Sequence, residues 1–148
     1  VCSPQLIEKH FPDAKKINAH CYDLDSEQII QLPLLQQTTR LNIWQEWCEK
    51  HQIEHPKPFQ GQRHELFSML AVAATHSMGM ALIPQMLIKK ELESSELVIA
   101  TNKTLTGVRS YYLVHSSQEN SMLIEKFVDW IQLELKNEAL PYSFGTIE

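Results

Sequence analysis

The sequence predicts an α/β domain, and three stretches carry that expectation. In residues 66–84 (LFSMLAVAATHSMGMALIP) an apolar run at helical spacing meets a glycine corner. It turns at once into Met80–Ile83, a short unbroken apolar segment of the kind found in strands covered on both faces. Leu32–Leu35 is a second short apolar strand candidate, with the polar Thr38-Thr39-Arg40 at its C-terminal end. Val108–Val114 alternates as a strand should, with Val108, Ser110, Tyr112 and Val114 on one side and Arg109, Tyr111 and Leu113 on the other.

The elements follow in order. Ser3 can cap a helix whose first residue is Pro4, running through Leu6 and Ile7 until Pro12. Residues 13–31 are polar and weakly patterned and read as including a loop. After the Leu32–Leu35 strand, Asn42 and Gln45 make a helix start. Ile43, Trp44, Trp47 and Cys48 then share one face, so both tryptophans are expected in the core, and Pro56 and Pro58 end the helix. In the next helix Leu66, Phe67, Met69, Leu70, Ala73 and Ala74 should lie on one covered face. Gly79 breaks its period, and Pro84 is placed to open a further helix. The last helix starts near Asn120 or Ser121 and should bury Leu123, Ile124, Phe127, Val128 and Ile131, with Lys136 suiting its C-terminal end.

Composition bounds the function classes. A chain of 148 residues can bury one sizeable core, and 43% hydrophobic with 21% charged is ordinary globular usage. A net charge of −5 argues against this segment gripping phosphates itself, because nucleic-acid affinity is built on clustered Lys and Arg. No run of about 18 apolar residues and no basic-then-apolar leader is present, which predicts neither a membrane span nor an intact secretory signal. Three scattered cysteines, at 2, 21 and 48, favour a reducing cytoplasm over a disulfide framework.

Chemistry-bearing patterns are sparse. Cys48, His51 and His55 at i, i+3 and i+7 have a spacing compatible with zinc, but Cys48 belongs to the apolar stripe and no fourth ligand is marked, so no metal is expected. No cysteine or histidine is framed by a glycine-rich elbow, and there is no GxGxxG, P-loop or HExxH, so neither catalytic residues nor a cofactor are expected. Two polar groups are better placed. Thr38, Thr39 and Arg40 end a buried strand, where open α/β sheets hold ligands, although a solvated strand end with a turn reads equally well. His64 and Glu65 stand just before the Leu66 helix, whose first N–H groups and partial positive charge face outward. There Glu65 could simply complement the helix dipole.

Several segments come in one order: VCSPQL at residues 1–6, LPLLQQTTR at 32–40, WQEWCEKHQI at 44–53, AATHSMGMALIP at 73–84, YYLV at 111–114 and FVDWI at 127–131. That order resembles the C-terminal effector-binding domain of LysR-type transcriptional regulators, in the branch of the glycine-cleavage activator and the β-lactamase regulator. The specificity lies in order and spacing, each motif being a short hydrophobic pattern. One departure is Ser77, where the family usually has Gly. A side chain at a left-handed corner costs on the order of 1 kcal/mol, which opens the prospect of a rebuilt corner.

The resemblance implies a type 2 periplasmic-binding-protein-like effector domain of two α/β lobes with a small-molecule cleft between them. On this pattern residues 1–110 are effector-binding lobe two, 111–137 the returning strand and C-terminal helix of lobe one, and 138–148 a tail. The start of the Leu66 helix would border the effector cleft, and Tyr111 matches a cleft-facing aromatic, unless a one-residue shift in register gives that face to Tyr112. The effector-binding candidates are therefore Thr38, Thr39, Arg40, His64, Glu65 and Tyr111. The implied partners are a small organic effector, a homodimer or tetramer, and DNA only through an N-terminal helix-turn-helix absent from this chain. A stand-alone solute-binding protein of the same fold is the alternative.

Overall fold

The computed structural model describes residues 1–54, 60–105, 112–114 and 122–137, which fall into a unit over residues 1–105 and a second unit that contains the last helix. The first unit is organised around a sheet made of very short pieces. Antiparallel β1 (Lys16–Asn18) and β2 (Cys21–Tyr22) lie at one end, and parallel β3 (Gln36–Gln37) and β4 (Arg63–His64) form a separate ladder. Single bridges fill the space between them: Leu34 with Met80, Cys2 with Val98, and Cys21 with Ile99. Val1 joins this run by exchanging both backbone hydrogen bonds with Ala81.

Helices cover these segments. In α1 (Pro4–His10) Ser3 is the N-cap, its Oγ accepting from the Leu6 N–H at 3.2 Å, and Leu6 and Ile7 are buried, as expected. In α2 (Ser26–Gln31) Asp25 and Gln28 form a reciprocal capping box, so the polar, weakly patterned stretch expected to include a loop also holds a helix that buries Ile29. In α3 (Ile43–Lys50) Trp44 and Trp47 are each 1% exposed, packed edge to face at 5.6 Å with 76° between the rings. Each indole is tied to backbone, Trp44 Nε1 donating to the Leu35 carbonyl at 2.9 Å and Trp47 Nε1 to that of Lys103 at 2.7 Å. The core expectation for both holds. The helix ends earlier than Pro56 and Pro58 suggest, because Gln52 turns left-handed (φ 55) just after the His51 cap. Both prolines lie outside the described residues.

The α4 helix (Phe67–Thr75) differs from expectation in which side it covers. Leu70, Ala71, Ala73 and Ala74 are buried, whereas Leu66, Met69 and Val72 are more than half exposed. The covered edge is narrow, three alanines and Leu70, and the bulkier Leu66, Met69 and Val72 are left open. The corner after α4 keeps its left-handed form: Ser77 has φ 60. Gly79 has φ 158 and passes so near Pro33 that a Cβ would sit 2.4 Å from its carbonyl oxygen.

Two apolar runs were placed slightly wrongly by pattern. Leu32–Leu35 is buried, apart from Pro33, but the β3 ladder starts two residues beyond Leu34; Leu34 itself only bridges Met80. Met80 is the single bridging residue of the 80–83 run, and Pro84 caps a 3₁₀ turn (Gln85–Leu87) that leads into α5 (Lys89–Glu93). Of the strand expected over Val108–Val114, residues 108–111 lie outside the described residues. Tyr112, Leu113 and Val114 are all exposed and are not in a strand.

The second unit contains α6 (Met122–Asn137). Its expected stripe is not buried: Leu123 is 76% and Phe127 48% exposed, and Ile124, Val128 and Ile131 are only partly covered. Phe127 instead packs tilted against Trp130 along the helix, centroids 5.8 Å apart. Lys136 is in the last turn, with its side chain outside the described set.

Candidate functional site

Five of the six candidate residues stand where β3 and β4 end and α4 begins. Gln36 pairs with Arg63 and Gln37 with His64 in the parallel ladder, so both strands finish at the same level. Leaving β3, the chain coils directly into a 3₁₀ turn over Thr38–Arg40. Thr38 Oγ1 donates back to the His64 carbonyl at 3.2 Å, tying the two strand ends together. The Arg40 guanidinium lies over the Phe67 ring at 4.9 Å, a cation–π contact that fastens the turn to the first residue of α4. Thr39 and Glu65 are exposed beside these contacts, and Tyr111 lies outside the described residues.

The helix start is uncapped. Leu66 at the N-cap makes no side-chain cap hydrogen bond and no acidic residue stands in the first turn, so among the described residues no side chain caps the leading N–H groups of α4. From this end an open cavity of about 440 Å³ runs along the exposed side of α4, from His64 and Ser68 past Met69 and Val72 to His76 and Met78. The exposed apolar residues that departed from the expected covered face are thus the lining of this cavity.

Pattern reading missed Gln37. It is 6% exposed at the last position of β3, yet its side-chain oxygen has no hydrogen-bond partner among the described residues, and neither has the buried Nε2 of His64, its ladder neighbour. Buried polar groups are almost always paired, so orphaned atoms on two ladder partners are an exception at these strand ends; of the two residues, His64 lines the cavity. No periodicity could have shown it, since a glutamine after an apolar run reads as the solvated end of a strand.

Elsewhere the chemistry is quiet. Cys2, Cys21 and Cys48 are free and buried; burial pushes the Cys2 thiol up to about 11, and burial with the nearby Glu49 raises that of Cys48, which makes both poor nucleophiles. His51 is engaged by the Thr104 carbonyl at 3.1 Å and lies tilted against Trp47, ring centroids 5.2 Å apart, and His55 is outside the described residues. Among the described residues no group of His, Cys, Asp and Glu could hold a metal ion, and no helix is long and apolar enough to cross a membrane.

Residues 10–136 match the family model described as LysR substrate binding domain. The glycine cleavage system transcriptional activator of Escherichia coli (strain K12) is 28% identical over 145 residues, a span covering 97% of this chain and 44% of that protein. The HTH-type transcriptional regulator DsdC of the same strain is 25% identical over 141 residues, 94% of this chain and 43% of its own. The chain thus spans less than half the length of these curated relatives. Among solved structures, the AmpR effector binding domain from Citrobacter freundii superposes with a TM-score of 0.62 at 20% identity, over 92% of this chain and 62% of that one. This likeness speaks to the fold.

Proposed function

Because the chain belongs to the LysR substrate-binding-domain family, we propose that it is the effector-sensing part of a DNA-binding transcriptional regulator, reversibly binding a small organic molecule and carrying out no reaction on it. The observation that supports this best is that β3 and β4 end together beside the start of α4, where His64 and Ser68 open the cavity. Parallel strands present their C-terminal ends to ligands, and the groups gathered there, Thr38, Arg40, His64 and Glu65, include no activated nucleophile. On the same reading residues 1–110 are one lobe and 111–137 the returning part of another, with Thr39 and Tyr111 at the cleft. A change of lobe angle on binding would be the signal passed to a helix-turn-helix through a homodimer or tetramer in the cytoplasm.

The test is a thermal-shift and NMR survey of this chain against a diverse set of amino acids, organic acids, amines and sugars. A saturable binder that shifts the signals of His64 and Ser68 and is recovered unchanged is the expected result. Binding confined to other surfaces, or conversion of the bound compound, would overturn the reading.

A further inference from the structure

We propose that residues 101–105 form a releasable strap, hinged after Ala100 and fastened to α3 and α2 by side chains, which lets the chain change the direction in which it leaves the first unit without unfolding that unit. The hinge lies where the sheet stops. Tyr22 N–H donates to the Ile99 carbonyl at 2.7 Å, Ile99 N–H to that of His20 at 2.8 Å and Leu24 N–H to that of Ala100 at 2.8 Å, and Val98 and Ala100 are each 1% exposed. Beyond Ala100 the backbone is held differently. Among the described residues, the carbonyls of Lys103 and Thr104 are taken by side chains of α3, Trp47 Nε1 at 2.7 Å and His51 Nε2 at 3.1 Å, and Lys103 Nζ donates to Ser26 Oγ at the start of α2. After residue 105 the chain passes into the second unit.

The make-up of the strap is what makes it releasable. Thr101, Asn102, Lys103 and Thr104 are polar and partly or fully exposed, and Leu105 is its one apolar residue, partly buried against the core. Segments with few buried apolar contacts and solvent-facing hydrogen bonds open locally, at a free energy well below that of unfolding. A carbonyl oxygen only accepts, so His51 holds its proton on Nε2 for Thr104. The anchor, by contrast, is firm: Trp47 is 1% exposed and braced edge to face by Trp44, whose own indole is bound to the Leu35 carbonyl at 2.9 Å on the run into β3. Two neighbouring indoles therefore differ in one respect, Trp47 donating to the strap and Trp44 to the strand.

Hydrogen exchange at these two indole N–H groups, followed by NMR in the full chain, tests the strap. In the parent chain Trp47 should exchange about fivefold or more faster than Trp44, because local opening frees the first and not the second. His51→Phe keeps a ring beside Trp47 and removes the tie to Thr104, and Ser26→Ala removes the tie to Lys103 from a different helix. Each should speed Trp47 exchange about two- to fivefold, the effect of one hydrogen bond, and leave Trp44 unchanged; the double variant should multiply the two factors, since both ties hold one segment. Equal rates for the two indoles in the parent chain, a speeding of both together in the variants, or a Trp47 rate that ignores both substitutions would overturn the strap and mean that residues 101–105 open only with the whole unit. None of these outcomes bears on the effector reading.

Discussion

The hydroxyls of Ser3 and Ser77 lie 2.7 Å apart. One caps α1, and the other occupies the left-handed corner that ends α4, so the strained corner is fastened to a helix start far away in sequence. The hydrogen bond and the strain are comparable in size, roughly 1 kcal/mol each, which explains how a serine is held where glycine would fit without cost.

A double-mutant cycle should resolve the two. Ser77→Gly alone is expected to be close to neutral, since relief of strain offsets the lost hydrogen bond. In a Ser3→Ala background, where that bond is already gone, the same change should stabilise by about 1 kcal/mol. Ser3→Ala itself should cost about 1 to 2 kcal/mol through the lost cap and the lost partner. Urea melts would check all three, and strictly additive changes would show that the contact has no energetic weight.

The tryptophan pair is expected to be structural. Trp44→Ala or Trp47→Ala should each cost roughly 3 to 5 kcal/mol, with the Trp44 change also loosening β3 because the Leu35 carbonyl loses its donor. A variant of ordinary stability with altered ligand preference would transfer these residues to the binding site.

Glu65 is expected to discriminate by charge. Replacing it with serine removes a carboxylate from the start of α4, so small carboxylates should gain about two- to fivefold in affinity and amines should lose by a similar factor. Calorimetry with butyrate and n-butylammonium reads both arms. No gain for any acid would count against a role for Glu65 in selection.

Helix α6 presents Phe127, Trp130 and Leu133 at about half exposure or more, an apolar stripe unusual for a surface helix. Self-association is the expected consequence. Sedimentation equilibrium should show a concentration-dependent mass that Phe127→Asp with Trp130→Asp abolishes while α6 remains helical by circular dichroism. A clean monomer of the parent chain at every concentration would defeat the expectation.

Much of the helical framework was legible because its signals are local. Ser3-Pro4, the Trp44–Trp47 spacing and the apolar run into Gly79 each name an element within a single turn. The Asp25–Gln28 capping box is equally local, but its polar surroundings give it no apolar period to open. The sheet was harder to read for a physical reason: Leu34, Met80, Cys2 and Val98 each contribute one bridging residue, and one residue has no period. Thr38, Arg40, His64 and Glu65 could be nominated from their places after strands and before a helix. The burial of the Gln37 side-chain oxygen without a partner among the described residues arises only when β3 and β4 come together, so no stretch of sequence contains it.

The stitched sheet also constrains how the chain can be made. Val1 and Cys2 pair with Ala81 and Val98, so these residues find their partners only after most of this unit has followed them in synthesis. Until then α1 can form its capped turns, but it has no floor to rest on. Closure must therefore come late and all at once, at a cost in loop entropy that slows folding and leaves the nascent chain dependent on protection from its neighbours in the cell.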